Sequence, residues 1–151
     1  MSARRRAAGR SGSEKEKGAV AVEFALVLPI FLVLVFGIFE FGRAFNIQVS
    51  LSEAARESAR YAAVHSSDAG FSVGAAQDAG VTAAPSVALT AANVEIAYRD
   101  LNGSAASSCA SGVNVVSTIS FPTGFLTGLE QLIGASKPFT VTGKGVMRCG
   151  G

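Results

Sequence analysis

The stretch FALVLPIFLVLVFGIF, residues 24–39, decides the fold because none of its sixteen residues is charged. Extended back to Ala19 it spans 21 residues, in which Glu23 is the only charge. A helix of that length crosses a hydrocarbon core of about 30 Å. Its Leu, Ile, Val and Phe side chains contribute on the order of −4 to −8 kcal/mol of insertion free energy. We therefore predict a membrane-spanning helix, which we place at residues 19–45.

Three simpler interpretations compete for this run. Pro29 and Gly37 lie inside it, and both residue types are tolerated in membrane helices. A small domain cannot surround a helix that is apolar on every side. A cleaved secretory signal ends in a small-x-small site, whereas this run is followed by EFGR, residues 40–43. An ordinary membrane anchor without any other role remains open.

Charge is concentrated before the run. Residues 1–18 carry six basic and two acidic groups, a balance of +4. Basic residues before a span indicate a cytoplasmic N-terminus. We therefore expect a basic cytoplasmic leader and a region of about 100 residues outside the membrane. Nucleic-acid binding is not expected, because the basic cluster directly precedes the apolar run and forms no basic stripe with aromatic platforms.

The junction KGAVAVEF, residues 17–24, suggests proteolytic processing. A carboxylate at the edge of a membrane segment is costly unless it has a partner or is protonated, and Glu23 stands five residues after Gly18. A cut after Gly18 creates an α-amino group on Ala19. That group can pair with Glu23 of the same or a neighbouring subunit.

Three further motifs lie at or beyond the junction: AVEFALVLP at residues 21–29, which overlaps it, G-x-x-E-x-G-R at residues 37–43 and AARESARYAA at residues 54–63. The junction resembles the processing site of type IV prepilins. The segment from residue 18 to residue 64 resembles the TadE/TadG-like family of the tight-adherence (Flp) pilus apparatus. This apparatus is related to secretion systems. The residues assigned by this resemblance to the family motif and to helix packing are Gly37, Glu40, Gly42, Arg43, Ala54, Ala55, Arg56 and Arg60.

The resemblance implies a minor pseudopilin or pilus assembly protein, and the short chain favours the TadE-like type. A prepilin peptidase would cut between Gly18 and Ala19, with Gly18 and Glu23 as the recognition residues. Phe24 stands where such sites often have an aromatic residue. The expected location is the bacterial cytoplasmic membrane, with one span and possible incorporation into a pilus. Expected partners are membrane lipid, other pilins or pseudopilins and the assembly machinery. The alternative is an uncut single-span anchor that carries an extracytoplasmic binding or adhesion module.

The helix is expected to continue outside the membrane through residues 46–66, ending near His65. Glu40 and Arg43 are interpreted as solvated interfacial charges or as a subunit contact. A stripe of small residues permits close packing, either against a partner helix or against the chain's own strands. Its members are Ala54, Ala55, Ser58, Ala59 and Ala62.

Residues 67–151 predict an extracytoplasmic α+β region. Alternating apolar residues predict strands at residues 93–99, 113–121 and 139–147, where Gly143 and Gly145 weaken the last strand or mark a bulge. Short helices are predicted at residues 73–79 and 125–133. The expected fold is α+β and pilin-like: a long N-terminal helix packed on an antiparallel sheet of about three strands.

Cys109 and Cys149, the only two cysteines, are predicted to form a disulfide because both lie beyond the span. His65 has no second histidine nearby, so no metal site is expected. No nucleophile triad or phosphate-binding loop is present in the sequence. We therefore expect a protein that is not an enzyme and has neither a cofactor nor a small-molecule substrate.

Overall fold

The computed structural model describes residues 11–128, 134 and 138–150, with side chains from Lys17 onward. The first ten residues of the predicted leader lie outside the described residues, as do residues 129–133 of the second predicted short helix. The chain divides into two compact units, Met1–Phe39 and Glu40–Gly151, which are described separately.

The first unit contains the apolar part of helix α1, which runs from Ser11 to His65 with Pro29 inside it. The helix begins before the predicted Ala19 and ends at the predicted His65. None of the described side chains up to Phe39 is buried. Among the described residues, this is the single helical segment long and apolar enough to cross a membrane.

The second unit contains the outer part of α1, one further helix and an antiparallel sheet, so the predicted α+β fold is confirmed. Helix α2 spans Val73–Ala83 and is longer than predicted. A 3-10 turn at Ala91–Asn93 leads into the sheet, whose order is β2-β1-β3-β4. Its strands are β1 at Val94–Asp100, β2 at Ala105–Ala106, β3 at Val113–Thr123 and β4 at Phe139–Arg148.

The sheet differs from the prediction in two places. The two-residue edge strand β2 pairs with β1 through Tyr98 and Arg99 and was not predicted, because two alanines carry no alternating pattern. Residues 125–128 are not helical. The predicted helix over residues 125–133 is therefore wrong in its described part, where the chain makes a loop after β3.

Strand β4 lies directly against α1, and its glycines make this possible. Its pairing with β3 runs without interruption and includes Ile119 opposite Gly143 and Ser117 opposite Gly145. A Cβ atom added at Gly143 would lie 2.8 Å from the Cβ of Leu51, and one at Gly145 would lie 2.6 Å from the backbone nitrogen of Arg56. The predicted bulge is therefore wrong, and the glycines serve close helix–strand contact.

The core lies between α1 and the inner face of the sheet, and the small-residue stripe of α1 is part of it. Ala54, Ala55, Ala59 and Ala62 are fully buried. Ser58, in the same stripe, places its hydroxyl 2.6 Å from that of Ser117 on β3. Of the two alternatives for this stripe, the structure shows packing on the chain's own strands.

The predicted disulfide between Cys109 and Cys149 is confirmed, with Cα atoms 5.5 Å apart and a sequence separation of 40. It joins the segment before β3 to the residue that follows β4. The backbone N–H of Cys149 also donates to the carbonyl of Val113 at 2.9 Å. The covalent bond therefore fixes one end of the β3–β4 pair.

Candidate functional site

Glu40, the residue that follows the apolar run, accepts hydrogen bonds from a loop far away in sequence. Its side chain is only 5% exposed. Its Oε1 accepts from the backbone N–H groups of Leu126 at 2.6 Å and Thr127 at 2.8 Å. A buried carboxylate needs such donors to offset its lost hydration, and charge-assisted bonds to backbone amides are among the stronger ones.

Arg43, one turn further along α1, binds the same loop. Its Nη1 and Nη2 each lie 3.2 Å from the hydroxyl oxygen of Thr123, and Nη2 also donates to the carbonyl of Gly124. Its Nε is 3.5 Å from Oε2 of Glu40. We call Glu40, Arg43 and the loop residues 123–127 the clamp.

The clamp changes the interpretation of these two charges. Glu40 is buried, so the prediction that it is a solvated interfacial charge is wrong. The prediction of a subunit contact also did not anticipate that both side chains bind their own chain. Thr123, Gly124, Leu126 and Thr127 were missed as functional residues. The sequence signal was a glutamate directly after the apolar run with an arginine three residues later, which marks a charged pair but does not indicate the loop that it binds.

The two motif glycines have no such contacts. A Cβ atom added at Gly37 or Gly42 would find nothing within 4 Å among the described residues, apart from the helix's own backbone and chain neighbours. The packing of the described chain therefore does not require glycine at either position. Their small size matters only if a lipid or another subunit approaches this surface.

The motif AARESARYAA presents one inward and one outward side. Ala54 and Ala55 are buried, whereas Arg56 and Arg60 are exposed. Arg60 donates to both carboxylate oxygens of Glu57 at 2.9 and 2.7 Å. The hydrogen bond from Arg60 holds the pKa of Glu57 below its ordinary value. The alanines thus serve the core, and the charged residues form a surface pair.

The predicted processing residues Gly18, Ala19, Glu23 and Phe24 all lie in α1 and are exposed. Ala19 and Glu23 are four residues apart, which places them on one side of the helix. A Cβ atom at Gly18 would meet nothing within 4 Å among the described residues, its own helix backbone and chain neighbours aside. Among the described residues, none covers the junction.

Comparison with known families identifies part of α1. The family model described as TadE-like protein matches residues 18–60. This segment is similar to the TadE-like family. The TadE-like segment begins at Gly18 and contains Glu40 and Arg43 of the clamp, but not the loop they bind. No curated protein and no solved structure matches the chain.

The structure also gives His65 a local role. Its Nδ1 lies 2.7 Å from Oδ2 of Asp68, and its ring stacks on Tyr61 with centroids 4.4 Å apart. Among the described residues no group of three or more His, Cys, Asp or Glu side chains is placed to hold a metal ion. The contacts of His65 are therefore local ones at the C-terminal end of α1, with Asp68 and Tyr61.

Proposed function

We propose that this chain is a TadE-like pseudopilin, a non-catalytic component of tight-adherence (Flp) type IV pilus biogenesis. The TadE-like match over residues 18–60 carries the proposal, and with the apolar helix it supports a membrane-anchored, Tad-pilus-related protein. TadE-like proteins are pilus components and not a known enzyme family. Its partners would be membrane lipid, other pilins or pseudopilins, the assembly machinery and a prepilin peptidase.

The proposed topology places the basic leader in the cytoplasm and the second unit outside the cytoplasmic membrane. The positive-inside rule supports this orientation, as does the disulfide, since disulfides persist in oxidising compartments. We place the outer end of the span at Phe39, not at residue 45. The reason is that Glu40 and Arg43 already bind the loop of the second unit.

The proposed processing step is hydrolysis of the Gly18–Ala19 peptide bond, which leaves a carboxylate on Gly18 and an ammonium group on Ala19. The bond lies inside α1, so a peptidase has to unwind the helix locally. Glycine makes this easier because it favours the helix by about 1 kcal/mol less than alanine. The new ammonium group lies one turn from Glu23 and can pair with it, or with Glu23 of a neighbour.

The mass of the chain tests processing. Membrane-extracted protein is measured intact, with and without a coexpressed prepilin peptidase, and Gly18→Leu serves as the matched variant. The expected product starts at Ala19, depends on the peptidase and is absent in Gly18→Leu. A full-length chain in every sample would contradict processing and leave the uncut anchor with an extracytoplasmic module.

A second experiment tests assembly separately from processing. Glu23→Gln keeps the size of the side chain and removes its charge. We expect this variant to insert in the membrane but to be lost from sheared pilus fractions. Because Glu23 is also a proposed recognition residue of the peptidase, the intact mass of the variant is measured as well, so that a loss of cutting is distinguished from a loss of assembly. Normal incorporation of Glu23→Gln would contradict a role for the Ala19–Glu23 pair in assembly.

A further inference from the structure

The clamp places an exposed leucine next to the predicted exit point of the membrane span. The backbone N–H of Leu126 donates to Glu40 at 2.6 Å, while its side chain is 70% exposed. Glu40 is the next residue after Phe39, where the apolar run ends. Glu40 is joined to Phe39 by a peptide bond and to Leu126 by a hydrogen bond. Leu126 therefore lies close to the level at which the chain leaves the bilayer.

Three backbone groups of this loop are paired by side chains of α1. The N–H groups of Leu126 and Thr127 donate to Glu40, and the carbonyl of Gly124 accepts from Arg43. These polar groups are paired by side chains of the chain itself and do not need water. Each paired backbone group lowers the cost of placing this part of the loop at the edge of a hydrocarbon region.

We infer that the loop Gly124–Leu126 is a second membrane contact: the clamp holds it at the outer bilayer surface, and the Leu126 side chain inserts among the lipids. Phe125 does not take part, since its ring packs on Phe139 with centroids 5.6 Å apart. The inference rests on the membrane anchor of the proposed function.

A lipid surface fits this site better than a neighbouring protein. The position of Leu126 follows from its bond to the first residue after the span, so the bilayer is present there in every anchored molecule. A protein neighbour is present only after assembly. The Leu side chain is also the type that an interfacial segment buries about 5–10 Å into the headgroup and acyl boundary.

The chain offers a matched control in Leu101, which is 66% exposed in the turn after β1. Asp100, beside it, pairs with Val113 at the start of β3, whereas Thr123 at the end of β3 binds Arg43. The ten residue steps along β3 separate the two sites by roughly 30 Å. Leu101 is therefore an equally exposed leucine far from the clamp.

The experiment uses the full chain with its disulfide formed, reconstituted in phosphatidylcholine vesicles. An environment-sensitive fluorophore is attached at Leu126→Cys or at Leu101→Cys, and its quenching by brominated lipids is measured after flotation. We expect blue-shifted emission and lipid quenching at position 126, and neither at position 101. Adding Glu40→Ala should remove the quenching at position 126, whereas adding Glu57→Ala should not.

Three results would overturn the inference, and they differ in what else they affect. Equal, water-like signals at both positions in floated vesicles would reject the lipid contact and leave the anchor intact. Blue-shifted emission without lipid quenching, seen only at a high protein-to-lipid ratio, would assign Leu126 to a contact with a second copy of the chain. A chain that does not float with the vesicles would reject the anchor itself and the inference with it.

Discussion

Replacement of Glu40 by alanine is the most direct test of the clamp. Two backbone N–H groups, those of Leu126 and Thr127, lose their acceptor. Hydrogen bonds to charged groups contribute about 1.5–3 kcal/mol each. Because the loop is partly exposed, its freed amides can turn to water, and the loss stays near the lower end of that range. We expect the free energy of unfolding to fall by about 2–4 kcal/mol.

The assay is urea unfolding of the full chain in detergent micelles, followed by tyrosine fluorescence, since the chain has two Tyr and no Trp. The matched control is Glu57→Ala, which removes another carboxylate paired with an arginine three residues later on α1. Glu57 is 36% exposed, and exposed pairs of this kind contribute about 0.3–0.5 kcal/mol. The control therefore separates the effect of burial from the loss of a charge.

Equal destabilisation by the two substitutions would refute the reasoning, because it would mean that the hydrogen bonds across the clamp add nothing beyond a surface ion pair. Hydrogen exchange gives an independent readout. The amides of Leu126 and Thr127 should exchange faster in Glu40→Ala, while the amides of β1 keep their protection. A variant in which β1 loses protection equally would indicate general unfolding and not a local loss.

Three further predictions concern the second unit. Gly145→Ala should lower the midpoint of thermal unfolding strongly, because the added methyl group meets the backbone of α1, whereas Gly74→Ala, with its nearest atom 3.8 Å away, should be neutral or stabilising. Ser58→Ala should cost about 1–3 kcal/mol in urea unfolding by leaving the Ser117 hydroxyl without its partner; the double alanine variant should recover part of that loss. Reduction of the disulfide should cost about 2–4 kcal/mol and raise the rate of proteolysis near the end of β4; unchanged proteolysis would contradict its role there.

Features governed by local periodicity were predictable from the sequence. The apolar run specified α1, and alternating apolar residues specified β1, β3 and β4 within a few residues. The disulfide followed from the number and position of the cysteines. The helix and the strands could be predicted because each pattern lies within a short stretch of sequence. The disulfide could be predicted because the chain has two cysteines, both beyond the span.

Features that depend on contacts between distant segments were not predictable. Glu40 binds a loop 86 residues further along, and its local sequence contains no sign of that loop. The role of Gly143 and Gly145 was not predictable either, because a glycine in a strand can mark a bulge or the close approach of another backbone. Only the position of α1 over β4 distinguishes between these possibilities.

The contacts of α1 within the second unit limit how a pilin neighbour can approach. The inner side of the helix is covered by the sheet and α2 so closely that backbone atoms lie within reach of a single methyl group. The small-residue stripe therefore has no free surface to offer. Under the proposed function, a neighbour would have to use the outer side, where Phe41, Phe45 and Val49 lie exposed at intervals of four residues. That side is aromatic and β-branched, so assembly there would depend on burial of large apolar side chains and not on close approach of helix backbones.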